Sequence, residues 1–480
     1  MVFSDLFFIF AFLPLFLGSY MSANFADSRF GAGSGRPTQF RNAVLVLFSL
    51  LFYAWGEPVY VFLMLGSVLV NFFAGRLIDS SVNHRRSALV AGLIANVLIL
   101  AVFKYAGFIA RTFCSIGIPV AVPDIALPIG ISFYTFQSIS YLIDVYRREA
   151  PAQRRYADLL LYISMFPQLI AGPIVRYDIV ALQIADRRAT RLDIADGIYR
   201  FFIGLGKKVI LANQFSVIAD QFLAADMAHA SMSGAWTGIA AFTLQIFFDF
   251  SGYSDMAIGL GRMLGFHFAE NFRHPYCCLT VTEFWRRWHI SLGSFFRDYV
   301  YIPLGGNRRH QAFNILCVWM LTGLWHGASW NFVLWGLYFG IIVMVEKYTL
   351  LKVSGRVPAL VLHVYSMLLV VAGWGIFYFE DFGQMLMFFR ALTGNTATLW
   401  DFAAESAVLS HFWLFVAGVV MCMPVYDTVR NAFLRLFPCS TALRKNISLA
   451  TRLVVSVGLF ILCVSLLVGA TNNPFIYTRF

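Results

Sequence analysis

Apolar runs long enough to approach a membrane span recur along nearly the whole chain. They are Leu6–Asn24, Asn42–Trp55, Val59–Leu77, Ser87–Ile109, Leu127–Tyr146, Ile198–Leu223, Ala235–Phe250, Phe313–Trp325, Trp330–Val345, Leu360–Phe379, His411–Tyr426 and Leu453–Ala470. A helix needs about 20 mostly apolar residues to cross the hydrocarbon layer, so the shorter runs do not span alone. The segment Leu159–Val175 is interrupted by Pro167, Gly172 and Pro173. A broken helix survives at membrane depth only where it faces protein or a wet cavity.

Composition agrees: of 480 residues, 59% are hydrophobic and 13% charged, against about 45–50% and about 25% in soluble domains. Fifty Phe and 11 Trp suit acyl chains and the headgroup layer. The chain is therefore expected to be an all-α polytopic membrane protein. Residues 1–480 form a single membrane-embedded domain, since no hydrophilic stretch is long enough to fold alone. The first Arg is Arg29, so the start lacks the basic end of a cleavable signal and reads as the first retained span.

The net charge of +11 fits basic loops that mark the cytoplasmic face and touch anionic lipid; no nucleic-acid partner is expected. Arg29, Arg36 and Arg41 follow the first run; Arg76, Arg85 and Arg86 the third; Arg147, Arg148, Arg154 and Arg155 the fifth. The intervening turns are poor in basic residues. By the positive-inside rule the N-terminus faces outward. Arg430, Arg435, Arg444 and Lys445 put the loop before the last run inside, leaving 471–480 as an extracytoplasmic tail. Seven cysteines without a CxxC spacing predict neither a disulfide framework nor a metal site.

Residues 280–309 break the membrane pattern and are expected to form an amphipathic helix on the cytoplasmic side. Thr280 and Glu283 have capping-box spacing. Trp285, Trp288, Leu292, Phe295 and Tyr299 recur on one helical face. His289 is placed on a face with Arg286 and Leu292. A neutral imidazole there can accept a proton or hydrogen-bond a hydroxyl, and a satisfied structural histidine fits the same position.

His326 is the stronger candidate, deep in the apolar stretch Phe313–Asn331 and followed by Gly327 and Ala328. An ionisable side chain at membrane depth is costly and marks function. The small residues after it allow a helix break or close backbone approach, and Trp325 and Trp330 are expected to wall the site. A further polar group, Asp249, Ser251, Tyr253, Ser254 and Asp255, interrupts Phe-rich sequence. Its buried carboxylates need partners, and arginine or histidine is expected in that role. Gln137, Ser138, Asp144, Gln168 and Arg176 suggest a polar-lined tunnel.

These residues together resemble the membrane-bound O-acyltransferase (MBOAT) family, in its bacterial alginate O-acetylation branch. The resemblance rests on MVFSDLFFIFAFLP, LLFYAWGEP, LPIGISFYTFQSISYLIDVYR, MFPQLIAGPIVRY, FFDFSGYSDMAIGLGRMLGF, NFRHPY, FWRRWHISLGSFFRDYVYIPLGGNR, LTGLWHGASWNFVLWGLYFG and PFIYTRF. It implies a ring of tilted transmembrane and re-entrant helices around a central funnel. It matches His326 to the family's near-invariant histidine and His289 to its more variable Asn/His position. It also implies acetyl-CoA as the cytoplasmic donor, a periplasmic O-acetyltransferase partner protein, a polysaccharide acceptor reached indirectly, and residence in the bacterial inner membrane, with no resident cofactor.

Transfer from a thioester needs a base for the hydroxyl proton and stabilisation of the oxyanion. His326 is expected as the general base and His289 as a hydrogen-bonding or orienting partner. Arg286, Arg287, Arg308 and Arg309 are the donor-phosphate candidates, and lipid headgroups would suit them equally. Tyr477, in the terminal aromatic motif, is a candidate covalent acyl relay or else an interfacial anchor. Alginate is the first acceptor expected; peptidoglycan, cellulose or another surface glycan remains open. Outside the enzyme class stand a polytopic transporter and an assembly scaffold.

Overall fold

The computed structural model describes residues 1–31, 37–425, 428–429, 441–469 and 475. Among them every regular element is helical, and the protein is an all-α, multi-pass membrane protein. Among the described residues seven helices are long and apolar enough to cross a bilayer: Phe8–Phe30, Tyr60–Ser80, Arg85–Ser115, Arg191–Leu223, Trp330–Arg356, Ala359–Tyr378 and Leu449–Val468. Each falls on a run named above. The run expected from His411 is instead the second limb of a bent pair, Phe402–Ser410 and Phe412–Cys422, which meet at 65°.

The remaining expected runs lie on helices that fall outside this set. Leu127–Tyr146 becomes Ile131–Arg147, in which 13 side chains are buried; such a helix is sheathed in protein, not lipid. Ala235–Phe250 lies within the long helix Met232–Met263. The interrupted segment Leu159–Val175 is a broken helix, Tyr156–Ser164 then Phe166–Leu169, buried throughout except at Ile170. Its backbone break therefore faces protein, as the cost of exposed peptide groups in lipid requires.

The chain divides into two compact units. The first takes in Met1–Phe202 and Tyr253–Ala269 with the segment from Leu467; the second takes in Ile203–Gly252 and Glu270–Leu466. In the first unit Tyr253 lies between the rings of Phe3, at 4.6 Å, and Phe475, at 4.8 Å. Ser254 is buried beside it. Asp255 pairs with Arg200 at 2.8 Å, the arginine partner expected for this carboxylate. Tyr477 lies outside the described residues.

In the second unit the helices Gln311–His326 and Trp330–Tyr348 cross at glycine. A Cβ on Gly323 would collide with the carbonyl of Phe332, and one on Gly336 with that of Trp319. Small residues let the two backbones touch, the usual means of tight packing where lipid offers no hydrophobic drive. That crossing fixes the end of the first helix, and hence His326.

The single amphipathic helix expected over 280–309 is not one helix. Thr280 Oγ1 does cap it, accepting the N–H of Glu283 at 3.1 Å. The return bond from Glu283 reaches the N–H of Leu279. The helix Val281–Arg287 stops at Trp288, the chain turns left-handed at His289 (φ 45°), and Ile290–Phe296 begins a second helix that continues as a wider turn over Arg297–Tyr301. His289 therefore shares no helical face with Arg286. A left-handed backbone is uncommon outside glycine, though histidine is among the types that tolerate it, and it needs support from its surroundings.

Candidate active site

The break at His289 is held by a strand-like clip from Asn271–Arg273. Ile290 donates its N–H to the Asn271 carbonyl at 3.0 Å, and Arg273 donates to that of Arg287 at 3.0 Å. The Asn271 side chain, 1% exposed, adds a second layer. Its Oδ1 accepts from Ser291 N at 3.2 Å and Ser291 Oγ at 2.9 Å, and lies 3.1 Å from His289 Nδ1. The imidazole packs edge-on against Phe250, ring centres 4.6 Å apart, and near Trp325 at 5.7 Å. Its Nε2 is buried and has no hydrogen-bond partner among the described residues. His289 stands outside the spanning helices, and burial pushes its imidazole down to about 3. It is neutral at physiological pH.

His326 is the last residue of its helix, and Gly327 ends that helix in an extended conformation (φ −167°). A Cβ on Gly327 would strike the Phe332 ring, so glycine permits both the stop and the close wall. The His326 ring, 4% exposed, is boxed by Trp325 at 4.9 Å, Trp335 at 5.0 Å and Phe377 at 5.3 Å. Trp330, expected in this wall, is exposed instead.

His289 and His326 come together on one cavity of about 210 Å3. Its walls are mainly apolar, with Trp285, Trp288 and Trp319 prominent, and Arg297 and Tyr301 also reach it. Ligand pockets usually run about 300–1,000 Å3. At about 210 Å3 this one lies below that range.

The other candidates sit elsewhere. Asp249 lies on the helix that carries Phe250, but it pairs with Lys208 at 2.6 Å, both side chains buried. Its partner is thus a lysine, where arginine or histidine was expected. Tyr253, Ser254 and Asp255 belong to the first unit. Arg286 is exposed, Arg287 pairs with Glu283 one turn before it, and Arg308 and Arg309 are exposed on the turn after Gly306. None of these four lines the cavity.

Sequence reasoning passed over Asn271, Arg297, Trp319 and Glu346. Asn271 offered no local signal, since its partners lie 18 and 20 residues on. Glu346 did: it is a lone acid one residue past an apolar run, the same logic that singled out His326. Among the described residues no group of three or more His, Cys, Asp or Glu side chains could hold a metal ion.

The fold and cavity define a multi-pass membrane protein with two buried imidazoles on one small, mainly apolar chamber. The membrane-bound O-acyltransferase family (MBOAT) matches residues 147–378. The chain is 40% identical over 439 residues to the probable alginate O-acetylase AlgI of Azotobacter vinelandii, covering 87% of this chain and 85% of the relative. It is 36% identical over 509 aligned positions to the same-named protein of Pseudomonas putida, with 100% of both chains covered. It is 34% identical over 445 residues to the peptidoglycan O-acetyltransferase of Helicobacter pylori, covering 85% and 82%. The chain belongs to the membrane-bound O-acyltransferase family and is an acyltransferase.

Proposed function

We propose that this protein moves acetyl groups from cytoplasmic acetyl-CoA across the bacterial inner membrane for O-acetylation of an exopolysaccharide such as alginate. The observation that carries the reading is the pair of buried imidazoles, His289 and His326, on one small apolar-walled cavity. In the reaction a hydroxyl oxygen attacks the thioester carbonyl and His326 takes the hydroxyl proton. The tetrahedral intermediate collapses, the C–S bond breaks, and the thiolate recovers a proton from the imidazolium. His289, neutral with a bare Nε2, accepts the hydrogen bond of the hydroxyl as it docks, and the hydroxyl then turns that proton to His326 as its oxygen attacks. A cavity this small favours a compact acceptor over a polymer segment, so the acetyl passes first to a small carrier hydroxyl, with Tyr477 as relay, and then to a periplasmic partner protein. Arg286, Arg287, Arg308 and Arg309 meet the donor's phosphates at the cytoplasmic surface.

Labelled acetyl-CoA incubated with the purified protein in nanodiscs tests this directly. Label on the wild type, lost in His326→Ala and in Tyr477→Phe, supports relay through both residues. Label that survives His326→Ala sinks the assignment of the base, and survival in Tyr477→Phe sinks the relay. Transport of a solute without acyl transfer would instead mark a transporter. A second acceptor, peptidoglycan, is favoured by the likeness to the Helicobacter pylori protein. Acetate released by mild alkali from purified alginate, compared with that from murein, in cells with and without the protein separates the two.

A further inference from the structure

We infer that Asn271 is a positioning residue for acyl transfer, fixing His289 as the tautomer whose Nε2 lone pair faces the reaction. The inference rests on the function proposed above, and it names a residue that reading does not use. The argument starts from Ser291. A backbone N–H can only donate, and Ser291 N–H points at the Asn271 atom assigned as Oδ1 at 3.2 Å. That atom is therefore the amide oxygen, and the usual ambiguity between the two ends of an asparagine is removed. Nδ1 of His289 lies 3.1 Å from the same oxygen. An amide oxygen only accepts, so Nδ1 carries the proton, and in a neutral imidazole Nε2 then does not.

Three features make this a built arrangement. The Asn271 carbonyl holds Ile290 N–H at 3.0 Å while its side chain holds the ring, so one residue sets both the left-handed backbone (φ 45°) and the tautomer of His289. The Asn271 side chain is 1% exposed and His289 2%, so their contact is sequestered from bulk solvent. The ring is then locked edge-on against Phe250. The polar economy of the site is thus lopsided: Nδ1 is satisfied and Nε2 is left bare. A buried acceptor without a donor is costly unless a ligand supplies one, and a substrate hydroxyl is a donor of that kind. With the opposite tautomer Nε2 would carry a hydrogen and repel the hydroxyl proton.

The groups that could titrate with His289 are His326, Arg297 and Tyr301 on the cavity wall and the Asp249–Lys208 pair on the helix carrying Phe250. None of them contacts Nδ1, whose neighbours are Asn271 Oδ1 at 3.1 Å and Ser291 Oγ at 3.4 Å; the Ser291 hydroxyl spends its hydrogen on Asn271 Oδ1, so towards Nδ1 both atoms only accept.

The test uses the full-length protein in nanodiscs with 15N-labelled histidine and three chains: wild type, Asn271→Asp and Asn271→Leu. The His289 signals are assigned by their loss in His289→Asn. In the wild type the spectrum should show a protonated Nδ1 and an unprotonated Nε2; the reverse pattern overturns the inference. This readout does not depend on acetyl transfer, so it stands even if the proposed reaction fails. Asn271→Asp keeps every acceptor and places a carboxylate at Nδ1. It should retain high-pH activity while its acid limb moves up by about one pH unit or more, because a nearby opposite charge favours the imidazolium. An unmoved limb counts against the inference. Asn271→Leu should lower kcat roughly ten- to a hundredfold at unchanged KM for the acetyl donor. Near-wild-type kcat in that chain overturns the role. A chain that fails to fold leaves the decision to the aspartate variant and the spectrum.

Discussion

The carboxylate of Glu346 accepts the backbone N–H of Val281 at 2.7 Å across 65 residues of chain, and that of Thr282 at 2.7 Å. A fully buried acid at the end of one helix therefore caps the start of another, the one that leads into His289. Helix N-termini carry unsatisfied donors and partial positive charge, so the match is both geometric and electrostatic. Glu346→Gln retains one oxygen acceptor and loses the charge. It should lower stability by about 1–3 kcal/mol, read as earlier thermal unfolding in detergent, with a parallel fall in acetyl transfer. Unfolding and activity both at wild-type levels would show that the cap does not hold the site.

Lys208 and Asp249 form a 2.6 Å ion pair with side chains 4% and 2% exposed. Breaking such a pair leaves a buried charge alone. Lys208→Met should cost about 3–5 kcal/mol and most of the membrane yield. The double variant Lys208→Met with Asp249→Leu removes both charges and should recover most of that loss. Equal damage in single and double variants would mean that the pair does more than neutralise itself.

The spanning helices and the burial of His326 were legible because both signals are local: a continuous apolar run, and one ionisable residue inside it. The capping residue Thr280 was legible for the same reason. The break at His289 was not. The aromatic spacing of Trp285, Trp288, Leu292 and Phe295 fits an unbroken helix, and the turn is held by the segment Asn271–Arg273, remote in sequence. The lysine partner of Asp249 was hidden likewise, since Lys208 lies some 40 residues earlier on another helix. The wall tryptophans show the same limit: Trp319 and Trp330 read alike in sequence, and packing alone puts one on the cavity and the other outside.

Acid should destabilise the protein through His289. Burial lowers its folded-state value to about 3, whereas the unfolded chain binds that proton near the ordinary value of about 6.5. Between these limits the unfolded state holds more protons, so stability is full above about 6.5 and is lost as pH falls towards 3. His289→Asn removes the titration and keeps a residue type that tolerates the left-handed backbone. Its unfolding temperature should therefore fall less steeply with acid, by up to about 1.4 kcal/mol per pH unit in stability. Identical slopes for the two chains from pH 7 to pH 4 would rule out His289 as the acid-sensitive group.

Trp285 offers a donor for the charge that develops during transfer. It lines the cavity with both histidines, and its indole Nε1 is buried with no hydrogen-bond partner among the described residues. An indole N–H only donates, and a buried donor without an acceptor is costly in the resting enzyme. The oxyanion that develops on the thioester carbonyl is an acceptor present only during transfer. A hypothesis follows: Trp285 Nε1 stabilises that oxyanion. Trp285→Phe keeps the aromatic wall against Trp319, Trp335 and Phe339, whose ring centres lie 4.9, 5.4 and 4.8 Å away, and removes the donor. Loss of one such donor costs about 100- to 1,000-fold in kcat where it has been isolated. The phenylalanine variant should therefore show a fall of that order with the donor KM little changed. If KM rises while kcat holds, the indole serves to bind the thioester and the oxyanion must find its donor elsewhere.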